Sequence, residues 1–247
     1  MSGHSKWHNI KLKKGKLDGK RGALFTKLSK EIILAAKNGS ADPDANYRLK
    51  MAVDKARENN VPQDNIKRAI ARGHGGTDEK AIEELRYEGY GPANVAVIID
   101  VATDNRNRSA SELRFLFSRN AGTLGETGTV GWIFEQRGLI EVTSALSEDA
   151  LTEKALVEGV IDVRYDQPTS EIVTEPAHVM AVKDALEALG LSVKRAELVM
   201  EAKTTMRPAD ADTERVMTFL EALEEHEDVQ NVFSNVEFSD EVLAALA

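Results

Sequence analysis

Nine of the first thirty residues are cationic, namely Lys6, Lys11, Lys13, Lys14, Lys16, Lys20, Arg21, Lys27 and Lys30, and one, Asp18, is acidic. Lysine is a mobile point charge suited to phosphate. Gly3, Gly15 and Gly19 stand among these cations and leave the backbone free to follow an irregular surface. Trp7 adds a face on which a base can stack. This combination predicts that Lys6, Trp7, Lys11, Lys13, Lys14, Lys16, Lys20 and Arg21 grip a nucleic-acid backbone, with Lys27 and Lys30 extending the track onto the first helix. A solubilising tail is the rival reading, and the tryptophan weighs against it, because tails without a partner seldom include one. If six cations met phosphates, affinity would fall with a log–log salt slope of about −4 to −5.

A second group is Thr103-Asp-Asn-Arg-Asn-Arg108, at a strand-to-helix junction where backbone N–H groups attract anions. Two readings stand side by side. Arg106 and Arg108 clamp a phosphate or carboxylate, ribosomal RNA included, or Asp104 pairs with one of them while the asparagines bond the turn. Joined with Glu126, the two arginines also define a rival of another class, a phosphate-ester enzyme dependent on magnesium. His4 and His8, four apart, lack cysteine or clustered carboxylates and sit among lysines, so they read as donors within the arm and no metal is expected. Lys67, Arg68 and Arg72 on the third helix could face a major groove, though a solvated basic face is the plainer reading. The glycine-rich stretch Gly122–Gly131 lacks the Lys-Ser/Thr of a P-loop and reads as a flexible turn. Glu224-Glu-His-Glu-Asp228 reads as a solvated helix end. Nothing pairs a nucleophile with a base, so neither catalysis nor a cofactor is expected.

The positions of these groups match a division of charge. Residues 1–76 hold 17 Lys+Arg against 7 Asp+Glu, a net of +10, and residues 77–247 hold 15 against 34, a net of −19. A basic module that meets polyanions and an acidic body that does not are the expectation. No apolar run is long enough to span a membrane, and the N-terminus lacks both the h-region of a secretory signal and the Arg/Ser pattern of a mitochondrial presequence. With no cysteine there is no disulfide framework, and a cytoplasmic address is expected.

The elements that must position these groups follow from periodicity. Leu24 to Ala35 repeats apolar residues every three or four positions, a helix with one buried stripe that Asn38-Gly39 closes. Asp42-Pro43 is expected to open a second helix and Pro62 a third, ending at Gly73. Beyond it, Val95–Val101 is a buried strand, Tyr87–Tyr90 its predecessor, Ser109–Glu112 a capping box for the next helix, and Val130–Phe134 a strand. Residues 138–200 then read βαββαβ, a ferredoxin-like split βαβ. The unit before it lacks a final helix and strand, which Thr213–Leu223 and Val229–Phe238 supply. The expected fold is α+β and multi-domain: a basic arm and three-helix domain over 1–77, an α+β domain from 78–136 with 204–247, and a ferredoxin-like domain over 137–203 inserted in it.

Several stretches together resemble one family: G3-H-S-K-W7, R21-G22, F25-T-K-L28, D42-P-D-A-N46, R68-A-I-A-R-G73, Y87-E-G-Y-G-P92, D104-N-R-N-R108 and D228-V-Q-N-V232. The chain resembles the YebC family, which also includes the mitochondrial translational activator of cytochrome oxidase subunit I. The resemblance covers nearly the whole chain and implies three domains, helical first, with a cytoplasmic, non-enzymatic role in gene expression. Members are commonly labelled DNA-binding transcriptional regulators, and some look like ribosome-associated factors that help translation through proline-rich stretches. The chain departs from the family pattern in two places. Leu12 stands where a histidine is frequent, and Ala93-Asn94 replaces a glycine pair after Gly91-Pro92. The expected target is structured RNA on a ribosome, because a flexible arm with one aromatic suits an irregular surface better than a palindromic groove. DNA stays open, since phosphate contacts carry no sequence information. The acidic domains repel the nucleic acid and so orient it, or meet basic partners such as ribosomal proteins. A monomer is expected.

Overall fold

The computed structural model describes residues 20–76, 80–239 and 242. The arm residues Lys6, Trp7, Lys11, Lys13, Lys14 and Lys16, with His4, His8 and Leu12, lie outside them, as do the side chains of Lys20 and Arg21. The described residues form two compact units, one from 20–76 and 80–130 together with 208–232, the other from 131–207 together with 233–239 and 242.

In the first unit, α1 (Lys20–Lys37) begins with Gly22, Leu24 and Thr26 exposed and ends with Ile32 to Ala36 all buried. The expected single stripe widens to a fully buried segment because α2 and α3 cover part of α1 and strand β2 covers another part. Ile82 and Ala102 accordingly share the core of Leu28, Ile32, Leu49 and Ile66. Helix α2 runs Tyr47–Glu58, not from Asp42-Pro43. Asp42 instead turns the chain by accepting from the Asp44 N–H at 3.0 Å, and the Asn46 side chain caps the helix by accepting from the Leu49 N–H at 3.1 Å. Helix α3 (Gln63–Gly73) follows Pro62, and a Cβ on Gly73 would lie 2.4 Å from the Ile33 carbonyl oxygen, so glycine permits the approach of α3 to α1.

Strands β1 (Glu83–Tyr90) and β2 (Ala96–Thr103) pair antiparallel from Glu83↔Thr103 to Tyr90↔Ala96. Between them the Pro92–Asn94 turn holds Ala93 and Asn94 at φ 55 and 59. Helix α4 (Arg106–Arg119) leads to the short β3 (Thr123–Leu124). Helix α7 (Asp210–Glu225) and β8 (Val229–Ser234) return late in the chain to complete a sheet of order β3-β1-β2-β8. Phe117 of α4 and Phe219 of α7 meet edge to face, with centroids 4.9 Å apart.

The second unit is β4 (Phe134–Thr143), α5 (Glu148–Lys154), β5 (Val160–Arg164), β6 (Thr169–Thr174), α6 (Val179–Ala188) and β7 (Ser192–Ala202). Its antiparallel order β5-β6-β4-β7 is the split βαβ, closed over Ile140, Leu151, Ile172, Val182 and Leu186. The architecture is therefore the α+β one expected. The Val130–Phe134 strand is not formed: Gly131–Ile133 make a 3-10 turn, and Phe134 opens β4 opposite Ala202. No helix among the described residues is long and apolar enough to cross a membrane.

Candidate nucleic-acid interface

The acidic run after α7 departs most from its expected role. Asp228 is fully buried, not a solvated helix end. It sits in the turn between α7 and β8, where its carbonyl accepts from the Ala102 N–H at 2.8 Å and its N–H donates to His226 Nδ1 at 3.1 Å. Three elements converge on its carboxylate. Lys30 Nζ from α1 donates to Oδ1 and also reaches the Glu227 carbonyl at 3.1 Å. Arg108 Nη2 from α4 lies 3.2 and 3.0 Å from the two oxygens. The Ser109 and Thr103 hydroxyls donate to Oδ2 at 2.6 and 3.2 Å.

Burial alone would push the Asp228 carboxyl up. The hydrogen bonds from Lys30, Ser109 and Arg108 outweigh it and hold the group well below the usual carboxylate range. The same contact to Asp228 raises the Arg108 guanidinium, whose own burial opposes the rise.

This arrangement relocates several expected residues. Ser109 is not the cap of α4: the cap is Asn105, four residues earlier, its Oδ1 accepting from the Arg108 N–H at 3.2 Å, and the helix starts at Arg106. That extra turn places the Ser109 hydroxyl inward, onto Asp228. Of the two internal pairings foreseen for Asp104, the one with Arg108 forms, at 3.3 Å, but Asp228 is the closer partner at 3.0 Å. Lys27 and Lys30 face the end of α7 and not solvent alone, since Lys27 Nζ donates to the Glu224 carbonyl. The last turn of α7 contains no basic residue, so these two lysines supply the positive charge that its terminal carbonyls and dipole favour. Arg106 is exposed, and no side-chain partner engages it among the described residues.

The other candidates take local roles. On α3, Arg68 bonds its own helix at the Asp64 carbonyl and Asn65, Arg72 donates to the Lys80 carbonyl at 3.0 Å, and Lys67 is exposed. The glycine-rich loop is held, not free: the buried Glu88 carboxylate accepts from the Gly128 and Val130 N–H groups at 3.0 and 2.8 Å, occupying the amides a phosphate would need. Glu126 is exposed on that loop, and no hydrogen bond or ion pair among the described residues joins it to Arg106 or Arg108. Glu112, His226 and Asp228 are the one set of three potential ligands among the described residues close enough together to hold a cation. They do not fit one. His226 Nε2 is bonded to Glu112 at 2.9 Å, its Nδ1 accepts from Asp228, and Lys30 and Arg108 already neutralise the aspartate.

The hub was missed by sequence reasoning because its members are spread from residue 30 to residue 228. The signal that could have found it is the joint presence of D104-N-R-N-R108 and D228-V-Q-N-V232, which contribute opposite charges.

Comparison with known proteins places these features. The description "TACO1/YebC protein N-terminal domain" matches residues 5–76, and "TACO1/YebC second and third domain" matches residues 82–236. A "Probable transcriptional regulatory protein" of Pelotomaculum thermopropionicum is 49% identical over 243 residues, covering 97% of this chain and 100% of that one. A protein of the same description from Herpetosiphon aurantiacus is 48% identical, covering 98% and 97%. The crystal structure of a conserved hypothetical protein from Aquifex aeolicus superposes with a TM-score of 0.83 at 40% identity, covering 92% of this chain and 95% of that chain.

Proposed function

The chain belongs to the TACO1/YebC family, and from that premise we propose that it is a non-enzymatic, nucleic-acid-binding regulator of gene expression that works on ribosomal RNA and relieves stalled translation. The observation that carries this reading is the charge division: nine cations and one acid in the first thirty residues, followed by a body of net −19 from residue 77. Polyanion binding gives such an arm its compensating charge, and the acidic body repels the same polyanion and orients the molecule on it. Lys6, Trp7, Lys11, Lys13, Lys14, Lys16, Lys20 and Arg21 form the grip. Lys27 and Lys30 anchor it, because their bonds to the α7 end and Asp228 fix the helix from which the arm extends. The protein acts as a cytoplasmic monomer, and its acidic face is available to basic ribosomal proteins.

The relatives' description as probable transcriptional regulators supports a second reading, binding to DNA. Co-sedimentation with ribosomes across a salt series, beside a duplex-DNA titration, separates the two. The full chain is compared with one in which Lys6, Lys11, Lys13, Lys14 and Lys16 are changed to Gln. Saturable, arm-dependent ribosome binding at salt that abolishes DNA binding is the expected result. Tight, sequence-selective DNA binding without ribosome association overturns it in favour of transcription.

A further inference from the structure

Helix α4 has a second face that the Asp228 hub does not use. Residues 77–247 are net −19, yet four of their 15 Lys+Arg lie on this one helix: Arg106, Arg108, Arg114 and Arg119. Arg108 is turned onto Asp228, and the helix's one acid, Glu112, is bonded to His226 at 2.9 Å. Arg106, Arg114 and Arg119 are exposed and have no side-chain hydrogen bond or ion pair among the described residues. Between Arg114 and Arg119, Phe115 is 62% exposed.

The packing of α4 decides which side faces out. Ser109, Leu113 and Phe117, four apart, are its buried line. Ser111, Phe115 and Arg119, also four apart, form an exposed or outward line with a rise of about 6 Å per step, and Arg114 and Ser118 form the line beside it. Tyr87 of β1 reports the local field: burial pushes its phenol up, while the charges of Arg106 and Arg114 pull against that.

Guanidiniums that repel one another around an exposed ring call for an anion that also has a flat apolar surface. We propose that the outer face of α4 is a second RNA contact, taking a single-stranded segment whose base stacks on Phe115 while Arg114 and Arg119 hold the flanking phosphates. Ser111 and Ser118 provide hydroxyls for ribose or phosphate oxygens. This rests on the nucleic-acid reading above and extends it from the arm to the acidic body. Charge complementarity favours RNA over an apolar partner, and the exposed ring favours a single strand over a duplex, whose bases are stacked and inaccessible. An acidic peptide would meet the arginines but has no surface that needs the ring.

The test is fluorescence anisotropy of a labelled oligouridylate with the full-length protein, across a salt series, for wild type, F115L, F115Y, R114Q/R119Q and the Lys→Gln arm variant. All substitutions on α4 are at exposed positions, and unchanged melting temperatures verify the fold. F115L is expected to weaken binding roughly five- to a hundredfold, and F115Y, which keeps a stacking face, to bind as wild type. R114Q/R119Q is expected to reduce the log–log salt slope by about 1.4. If F115L and R114Q/R119Q bind as wild type while the arm variant loses affinity, the α4 contact is overturned and the proposed function stands. If the arginine variant weakens RNA binding but F115L does not, the stacked single strand is overturned. Loss of poly-glutamate binding by the α4 variants, with RNA binding intact, makes the occupant an acidic peptide and overturns the RNA contact. A full chain that binds RNA at no salt concentration overturns both readings.

Discussion

Asp228 is a carboxylate with no solvent exposure that accepts from an ammonium, a guanidinium and two hydroxyls. Its Asn variant keeps the shape and removes the charge. Lys30, whose side chain is 12% exposed, would then be a cation without its counter-ion, whereas Arg108, at 38%, can turn to water. Breaking a buried pair from one side costs about 3–5 kcal/mol, and the escape open to Arg108 puts D228N near the lower figure, about 3 kcal/mol. Thermal unfolding should show a drop in Tm of roughly 6–12 °C, and an unchanged Tm would remove the hub as a source of stability. The pH dependence follows from the direction of the shift. The folded carboxyl ionises below the value near 3.9 of an unfolded aspartate, so ionisation favours the folded state. Its contribution is complete above about pH 5 and is lost as pH falls through about 4 towards the folded value. Urea midpoints measured from neutral to acid pH should fall more steeply for wild type than for D228N; parallel profiles would contradict the linkage.

At the scale of elements, periodicity predicted the three leading helices and the βαββαβ run, because buried stripes of period 3.6 and 2 are written locally. Boundaries were less legible where two local signals compete. Ser109-Ala-Ser-Glu112 has the form of a capping box, but Asn105 four residues earlier is an equally good cap, and Asp228 draws Ser109 inside the helix. Nothing near residue 109 encodes that choice, since the deciding carboxylate lies 119 residues away. The Pro92–Asn94 turn was readable, and it holds a measurable strain. Ala93 has φ 55, a conformation that costs an L-residue about 1–2 kcal/mol and glycine nothing. Glycine in turn raises the entropy of the unfolded chain by about 0.4–1 kcal/mol. The strain outweighs the entropy, so A93G should stabilise the first unit by about 0.5–1 kcal/mol in urea unfolding. A loss of stability would mean that the Ala93 side chain contributes packing larger than its strain.

Across the whole molecule, the arm was legible and its support was not. A run of lysines and glycines declares itself in one dimension, whereas the anchor of the arm-bearing helix needs α1, α4 and the α7–β8 turn to meet. The two parts should therefore separate under mutation. Neutralising Lys6, Lys11, Lys13, Lys14 and Lys16 removes the cations to which the proposed function assigns phosphate binding, and the Tm is expected to stay as it is. Ribosome affinity should fall, and its log–log salt slope, about −4 to −5 for six neutralised phosphates, should shrink by about 0.7–0.9 for each phosphate that no longer meets a cation. D228N should do the reverse in kind. The cations stay, so the slope persists, while affinity weakens because α1 is no longer held against Asp228 and must itself be ordered on binding at added entropic cost. Slopes and Tm values measured for both variants decide the matter. A D228N slope that collapses like that of the arm variant would show that the arm's phosphate contacts depend on the anchor and that the two parts do not separate.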